Sequence, residues 1–137
     1  MIKKINYSKY FENISKNVQS FDYKKIESIR KKISSLNKNN KIILIGNGGS
    51  ASISSHVAVD LTKILKKRAI CFNEANLITC FANDYGYEKW AEKALEAYAL
   101  KNDVVILISS SGKSKNLINA CKFAKKKGIF VATFTGF

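Results

Sequence analysis

Lys41-Ile42-Ile43-Leu44-Ile45-Gly46-Asn47-Gly48-Gly49-Ser50 is the stretch on which the fold turns. Four consecutive apolar residues, three of them β-branched, show no alternation, which is the pattern of a short strand buried on both faces. The glycines that follow break the run, and a helical pattern resumes from Ala51 to about Lys67, with Ile53, Val57, Leu61 and Ile64 on one face. The same succession recurs downstream. Val104-Val105-Ile106-Leu107-Ile108 is a second wholly apolar run, Ser109-Ser110-Ser111-Gly112-Lys113-Ser114 is its loop, and a helix is expected from Ser114 to Lys127. Ala69–Phe72 and Ile129–Phe134 add two more strands, and residues 74–83 and 86–100 read as helices. Strands alternating with helices at these distances predict an α/β fold with a parallel sheet and right-handed crossovers.

Upstream of this block the period is helical. Tyr7, Phe11, Ile14, Val18 and Phe21 form a narrow seam over 7–21. Asp22 is a good N-cap for a second helix, Phe21 and Ile26 stand at staple spacing around it, and Ile26, Ile29, Ile33 and Leu36 continue the stripe. Asn37-Lys38-Asn39-Asn40 is a polar break, so residues 1–40 form an N-terminal helical segment and 41–137 the α/β domain. Such thin stripes suit a helical bundle or an oligomer interface better than a membrane surface.

Composition bounds what this chain does. Its 137 residues suffice for one domain, and 46% hydrophobic with 25% charged residues excludes general disorder. No run approaches the roughly 20 apolar residues of a membrane helix. Met1-Ile2-Lys3-Lys4-Ile5-Asn6 has no apolar region behind its basic residues, which argues against a secretory signal and for the cytoplasm. Cys71, Cys80 and Cys121 are odd in number, lack CxxC spacing and read as buried thiols in a reducing compartment. The net charge of +14 invites a nucleic-acid reading, but the basic residues are almost all lysine. Arginine is the favoured residue for bidentate phosphate and base contacts, and the lysines here are scattered, so the charge reads as solvated surface.

In an open parallel sheet, ligands bind beyond the carboxyl ends of the strands. The two loops after the buried strands lie there. Glycines allow close approach to an anion, helix N-termini offer unpaired N–H groups, and the second loop adds the hydroxyls of Ser109, Ser110, Ser111 and Ser114. Gly46–Ala51 also fits the relaxed dinucleotide pattern G-x-G-x-x-[GA]. The acidic residue that should end the second strand is missing from Arg68–Asn73, so no nucleotide cofactor is expected. Gly112-Lys113-Ser114 imitates the end of a phosphate-binding P-loop, but its first glycine would fall at Leu107, inside a strand.

Gly46-Asn47-Gly48-Gly49-Ser50, His56-Val57-Ala58-Val59-Asp60-Leu61-Thr62, Asn83-Asp84-Tyr85-Gly86-Tyr87, Ser109–Ser114 and Phe134-Thr135-Gly136 together resemble sugar isomerase (SIS) domains, in the phosphoheptose isomerase branch. The resemblance implies a three-layer α/β/α sandwich of flavodoxin-like type, with the N-terminal helices building a homotetramer. It implies conversion of sedoheptulose 7-phosphate to D-glycero-D-manno-heptose 7-phosphate through an enediol, towards activated heptose for surface polysaccharide. Ser109, Ser110, Ser111 and Ser114 would hold the phosphate, and Asn47, Gly48, Gly49, Ser50, Asn83 and Asp84 would line the sugar site. Asp60 falls where the family carries a glutamate and is the candidate base; with His56, four residues earlier, it matches a pair that binds zinc in some members. From spacing alone that pair reads first as an ordinary hydrogen-bonded couple on one partly exposed helix face.

Three departures accompany the resemblance. Asp60 is one methylene shorter than glutamate, Lys113 stands where the family often has asparagine, and members continue beyond the position of Phe137 into a helix carrying a catalytic histidine. The SIS domain is therefore expected to be incomplete at its C-terminus. The alternative is a non-catalytic SIS module that binds a sugar phosphate or a protein, such as a replication initiator.

Overall fold

A computed structural model describes residues 5–136. Residues 1–4 and Phe137, on which the readings of the N-terminal leader and of the chain end fall, lie outside the described residues. Residues up to Lys31 form one compact unit and those from Lys32 onward another. Among the described residues no helix is long and apolar enough to cross a membrane.

The first unit is helical. α1 spans Tyr7–Gln19, begun by the Asn6 side chain accepting from Lys9 N at 3.0 Å, and α2 spans Tyr23–Ser34. Asp22 caps α2 as its position predicts, with Oδ1 accepting from Lys24 N at 3.1 Å. Neither helix buries a single residue: Tyr7, Phe11, Val18 and Ile26 are all exposed.

The second unit holds the sheet. Its elements run β1 (Ile42–Gly46), α3 (Gly49–Lys63), β2 (Ala69–Cys71), α4 (Ala75–Tyr85), α5 (Trp90–Tyr98), β3 (Val104–Ser109), α6 (Lys115–Lys126) and β4 (Phe130–Thr135). The strands are all parallel in the order β2-β1-β3-β4. Both apolar runs are central strands, which is why they need no alternation: Ile42 to Ile45 and Val104 to Leu107 are buried throughout. Ile43, Ile45, Val105 and Leu107 pack with Trp90, Leu95, Leu117 and Ala120 of α5 and α6 in the main core. α3 covers the opposite face. It does so with Ser54 and Ala58, its only buried residues. The stripe chosen from the sequence is corrected here: Ile53 and Ile64 are exposed, because small side chains let the helix lie close on the sheet and the branched ones turn outward.

Element ends also differ from expectation. α3 stops at Lys63, four residues early, and Lys66 follows with φ +52 in the turn to β2. Residues 86–89 are turn, not helix, because Gly86 leaves α4 with φ +83. The reading of three buried thiols is corrected too. Cys80 is exposed, since α4 turns Leu77, Ile78 and Phe81 to the core, while Cys71 and Cys121 are half-buried; all three are free.

At the amino ends of β1 and β3 sits a fully buried carboxylate, Asp103. It takes Lys41 Nζ at 2.7 Å, Lys41 N at 2.9 Å, Leu100 N at 2.8 Å and Asn40 Nδ2 at 3.3 Å. Burial alone would raise its pKa; the Lys41 ammonium and the backbone N–H groups outweigh that and hold the carboxyl below the usual range.

Candidate functional site

The strand order reverses direction between β1 and β3. From β1 the chain crosses to β2 on one side; from β3 it crosses to β4 on the other. The loops leaving these two neighbours therefore diverge and open a crevice at the carboxyl ends, which is where open α/β sheets bind ligands. Both sequence-predicted loops border it.

The glycine loop is held by two side-chain amides. Asn73 donates Nδ2 to Gly46 O at 2.7 Å and accepts from Gly46 N at 2.9 Å, pairing with β1 two residues past the end of β2. Asn47 pairs with Asn116 of α6, Nδ2 to Oδ1 at 3.0 Å one way and 2.9 Å the other, and the Tyr87 hydroxyl donates to Asn47 Oδ1 at 3.3 Å. Gly48 has φ +54 and precedes α3 with no side-chain cap; the N–H groups of Ser50, Ala51 and Ser52 already donate to the Asn47 and Gly48 carbonyls, which leaves Gly49 N as the open amide of that helix start. A Cβ on Gly46 would lie 2.4 Å from the Ser50 carbonyl group, which shows how closely α3 starts against β1.

The serine loop is equally compact. Gly112, at φ +65, donates to Ser109 O at 3.1 Å; Lys113 N donates to Ser111 Oγ at 3.2 Å; and Gly136 N donates to Ser110 O at 2.9 Å, tying the loop to the end of β4. Ser114 is the N-cap of α6 but its hydroxyl does not cap, contacting Ser109 Oγ at 3.4 Å instead. Two hydroxyls and the unpaired N–H groups of a helix start thus converge, the donor set that suits a phosphate. Beside it, between α6 and β4, a cavity of about 260 Å³ carries Lys122 and Lys125 on its wall.

Asn83 and Asp84 lie in the last turn of α4, exposed, with Asn83 Nδ2 on Asp84 Oδ1 at 3.0 Å. The segment after them is anchored at three points: Tyr87 on Asn47, Glu88 Oε1 on Lys115 Nζ at 2.8 Å, and Glu88 O on Asn119 Nδ2 at 2.9 Å. The Glu88 hydrogen bond and charge raise the Lys115 pKa. Asn73, Tyr87 and Asn116 were not among the predicted site residues; Tyr87 stood in a quoted motif without a role, and Asn116 had as its signal a polar residue in the first turn of the helix after the serine loop.

His56 and Asp60 do meet, Nε2 to Oδ2 at 3.5 Å, on an outward face of α3. Asp60 is ten residues beyond Ser50, about 15 Å further along the helix axis, away from the loops. Zinc takes four ligands, and among the described residues no group of three His, Cys, Asp or Glu side chains could hold a metal ion. This pair supplies two donors and is not by itself a zinc site.

Comparison with known proteins places this geometry. The SIS domain family model matches residues 6–136. Phosphoheptose isomerase of Cytophaga hutchinsonii is 43% identical over 108 residues, covering 75% of this chain and 56% of the relative. Phosphoheptose isomerase of Helicobacter pylori strain Shi470 is 36% identical over 142 residues, covering 99% of this chain and 73% of the relative. Among solved structures, phosphoheptose isomerase of Neisseria gonorrhoeae superposes with a TM-score of 0.83 at 26% identity, over 94% of this chain and 70% of the other. The chain thus spans between about half and three quarters of these relatives' lengths.

Proposed function

The chain belongs to the SIS domain family, in its phosphoheptose isomerase branch, and on that premise we propose that it is an aldose–ketose isomerase acting on sedoheptulose 7-phosphate. The observation that carries the reading is the convergence of the Ser109 and Ser114 hydroxyls and the α6 N-terminus at the crevice between β1 and β3. This cradle is neutral in itself and receives a phosphate monoester by hydrogen bonds. Lys113, exposed beside it, adds positive charge. Ser110, Ser111, Gly48, Gly49, Ser50, Asn83 and Asp84 complete the phosphate and sugar contacts.

Isomerisation moves a proton from C1 to C2 while the carbonyl moves from C2 to C1. A base takes the C1 proton and leaves an enediolate, whose oxygens need hydrogen-bond donors. Asp60 is the base in this reading, and Asn47 is a donor to the sugar oxygens. Zinc held by His56 and Asp60 would need ligands beyond these two. The exposed apolar residues of α1 and α2 support assembly of copies through those helices, in this reading as a homotetramer, and the reading places the enzyme in the cytoplasm. The product would feed activated heptose for surface polysaccharide.

The distance of Asp60 from the loops favours a second reading, a SIS module that binds a sugar phosphate without turning it over. One experiment separates the two: proton NMR of sedoheptulose 7-phosphate in D2O with the purified chain. Deuterium entering C1, lost in Asp60→Asn while binding persists, supports the isomerase. Line broadening without exchange supports the module, and neither effect refutes both.

A further inference from the structure

One interaction joins the two site loops across the crevice. Asn47 and Asn116, 69 positions apart, exchange two carboxamide hydrogen bonds at 3.0 and 2.9 Å, and Tyr87 places its hydroxyl on the same Asn47 Oδ1 at 3.3 Å. An amide oxygen has two lone pairs and an amide nitrogen two N–H groups. Both lone pairs of Asn47 Oδ1 are therefore engaged, and so is one of its N–H groups. A single N–H is left free. Asn47 is half-buried at the crevice, whereas Asn116 is 2% exposed and is covered from any ligand.

A lone asparagine at a binding site rotates and offers a ligand either an oxygen or an N–H. Here rotation of Asn47 alone would set Asn47 Oδ1 against Asn116 Oδ1 and bring the two amide nitrogens together, leaving four polar atoms unsatisfied, so Asn47 turns only if Asn116 turns with it. We propose that Asn116, assisted by Tyr87, is a positioning residue that locks Asn47 as a one-donor group aimed at an oxygen of the sugar. The phosphate cradle and the sugar-oxygen donor are then set in fixed relation, because α6 begins at the one and carries the clamp for the other. This rests on the sugar-phosphate reading above. In this arrangement the ligand atom at Asn47 accepts a hydrogen bond, as a carbonyl oxygen or enediolate does.

The test titrates the full chain and its Asn47→Ala, Asn116→Ala and double variants with sedoheptulose 7-phosphate and, separately, with inorganic phosphate. Losing an oriented hydrogen bond predicts that Asn116→Ala weakens the sugar phosphate by about tenfold and inorganic phosphate by less than about twofold. In the Asn47→Ala background, removing Asn116 should change sugar-phosphate affinity by less than about twofold, since the clamp then has nothing to hold. Equal losses for both ligands, or a penalty that persists without Asn47, overturn the proposal. A parent chain that binds inorganic phosphate but no sugar phosphate overturns the sugar-phosphate reading itself and this inference with it. Unchanged sugar-phosphate affinity in a folded Asn116→Ala overturns the inference alone. Should Asn116→Ala fail to fold, solvent exchange of the Asn47 side-chain amide protons in the parent chain decides: one slow and one fast proton supports the clamp, two fast protons refute it.

Discussion

Gly46→Ala is the sharpest test of how fold and site are joined. The added Cβ would stand 2.4 Å from both the carbonyl carbon and the oxygen of Ser50 and 2.8 Å from Ala51 N, against 3.4 Å where ordinary van der Waals contact begins. The shortfall is about 1 Å, and every atom met is backbone, so no side chain can swing aside. α3 must slide away from β1 by about that much, or the strand must bend. Overpacking of this kind costs about 1–3 kcal/mol, and for a chain of this size each kcal/mol lowers Tm by about 4 °C. The expected result is a Tm about 4–12 °C lower by calorimetry. The displaced helix start carries the glycine loop with it, and a 1 Å misplacement at a site costs on the order of a hundredfold in activity. Gly49→Ala is the stability control: a Cβ there meets nothing within 4 Å, so Tm should hold or rise slightly. Equal Tm values for the Gly46 variant and the parent would refute the close-approach reasoning.

Further outcomes follow from other parts of the structure. Ser114→Ala removes a hydroxyl that does no capping, so sugar-phosphate affinity by titration should fall about five- to tenfold with Tm nearly unchanged; the reverse pattern would make Ser114 a helix cap and nothing more. Asp103→Ala leaves Lys41 and three N–H donors without their buried partner, and should cost about 3–5 kcal/mol in denaturant unfolding. Since the Asp103 carboxyl is held below its ordinary value, its contribution is complete above about pH 4 and is lost as pH falls through the lower folded-state value. The parent chain should therefore lose stability below about pH 4 more steeply than Asp103→Ala, and parallel acid curves would contradict this. Phe11→Glu places a charge on the exposed seam of α1 and should shift sedimentation to a smaller species if that face joins copies.

The central strands were legible because burial on both faces leaves a local trace, an unbroken apolar run. The loops were legible for a similar reason, since glycines and serines directly after such runs have few other uses. What escaped the sequence is pairing between distant polar residues. Asn73, Asn116 and Asp103 look like ordinary surface residues until the parallel register sets β1 between β2 and β3 and brings their partners to them. The α3 stripe was misjudged because apolar spacing marks a face without saying whether that face is covered. Ser54 and Ala58, too small to register as a stripe, make the contact. His56 and Asp60 show the limit of spacing from the other side: one turn apart was right, and their distance from the loops is a property of helix length that no motif records.

The carboxamide of Asn73 stands in for one more residue of β2. By bonding both backbone groups of Gly46, it completes a rung of the ladder while the main chain has already turned away into α4. The outer rim of the sheet on that side is left only three residues long. A rim so short is a poor template for an intruding strand, and edge-to-edge association of misfolded chains is discouraged there without a proline or a charged blocker. The turn that brings Asn73 onto the glycine loop is thus the same turn that keeps this edge short.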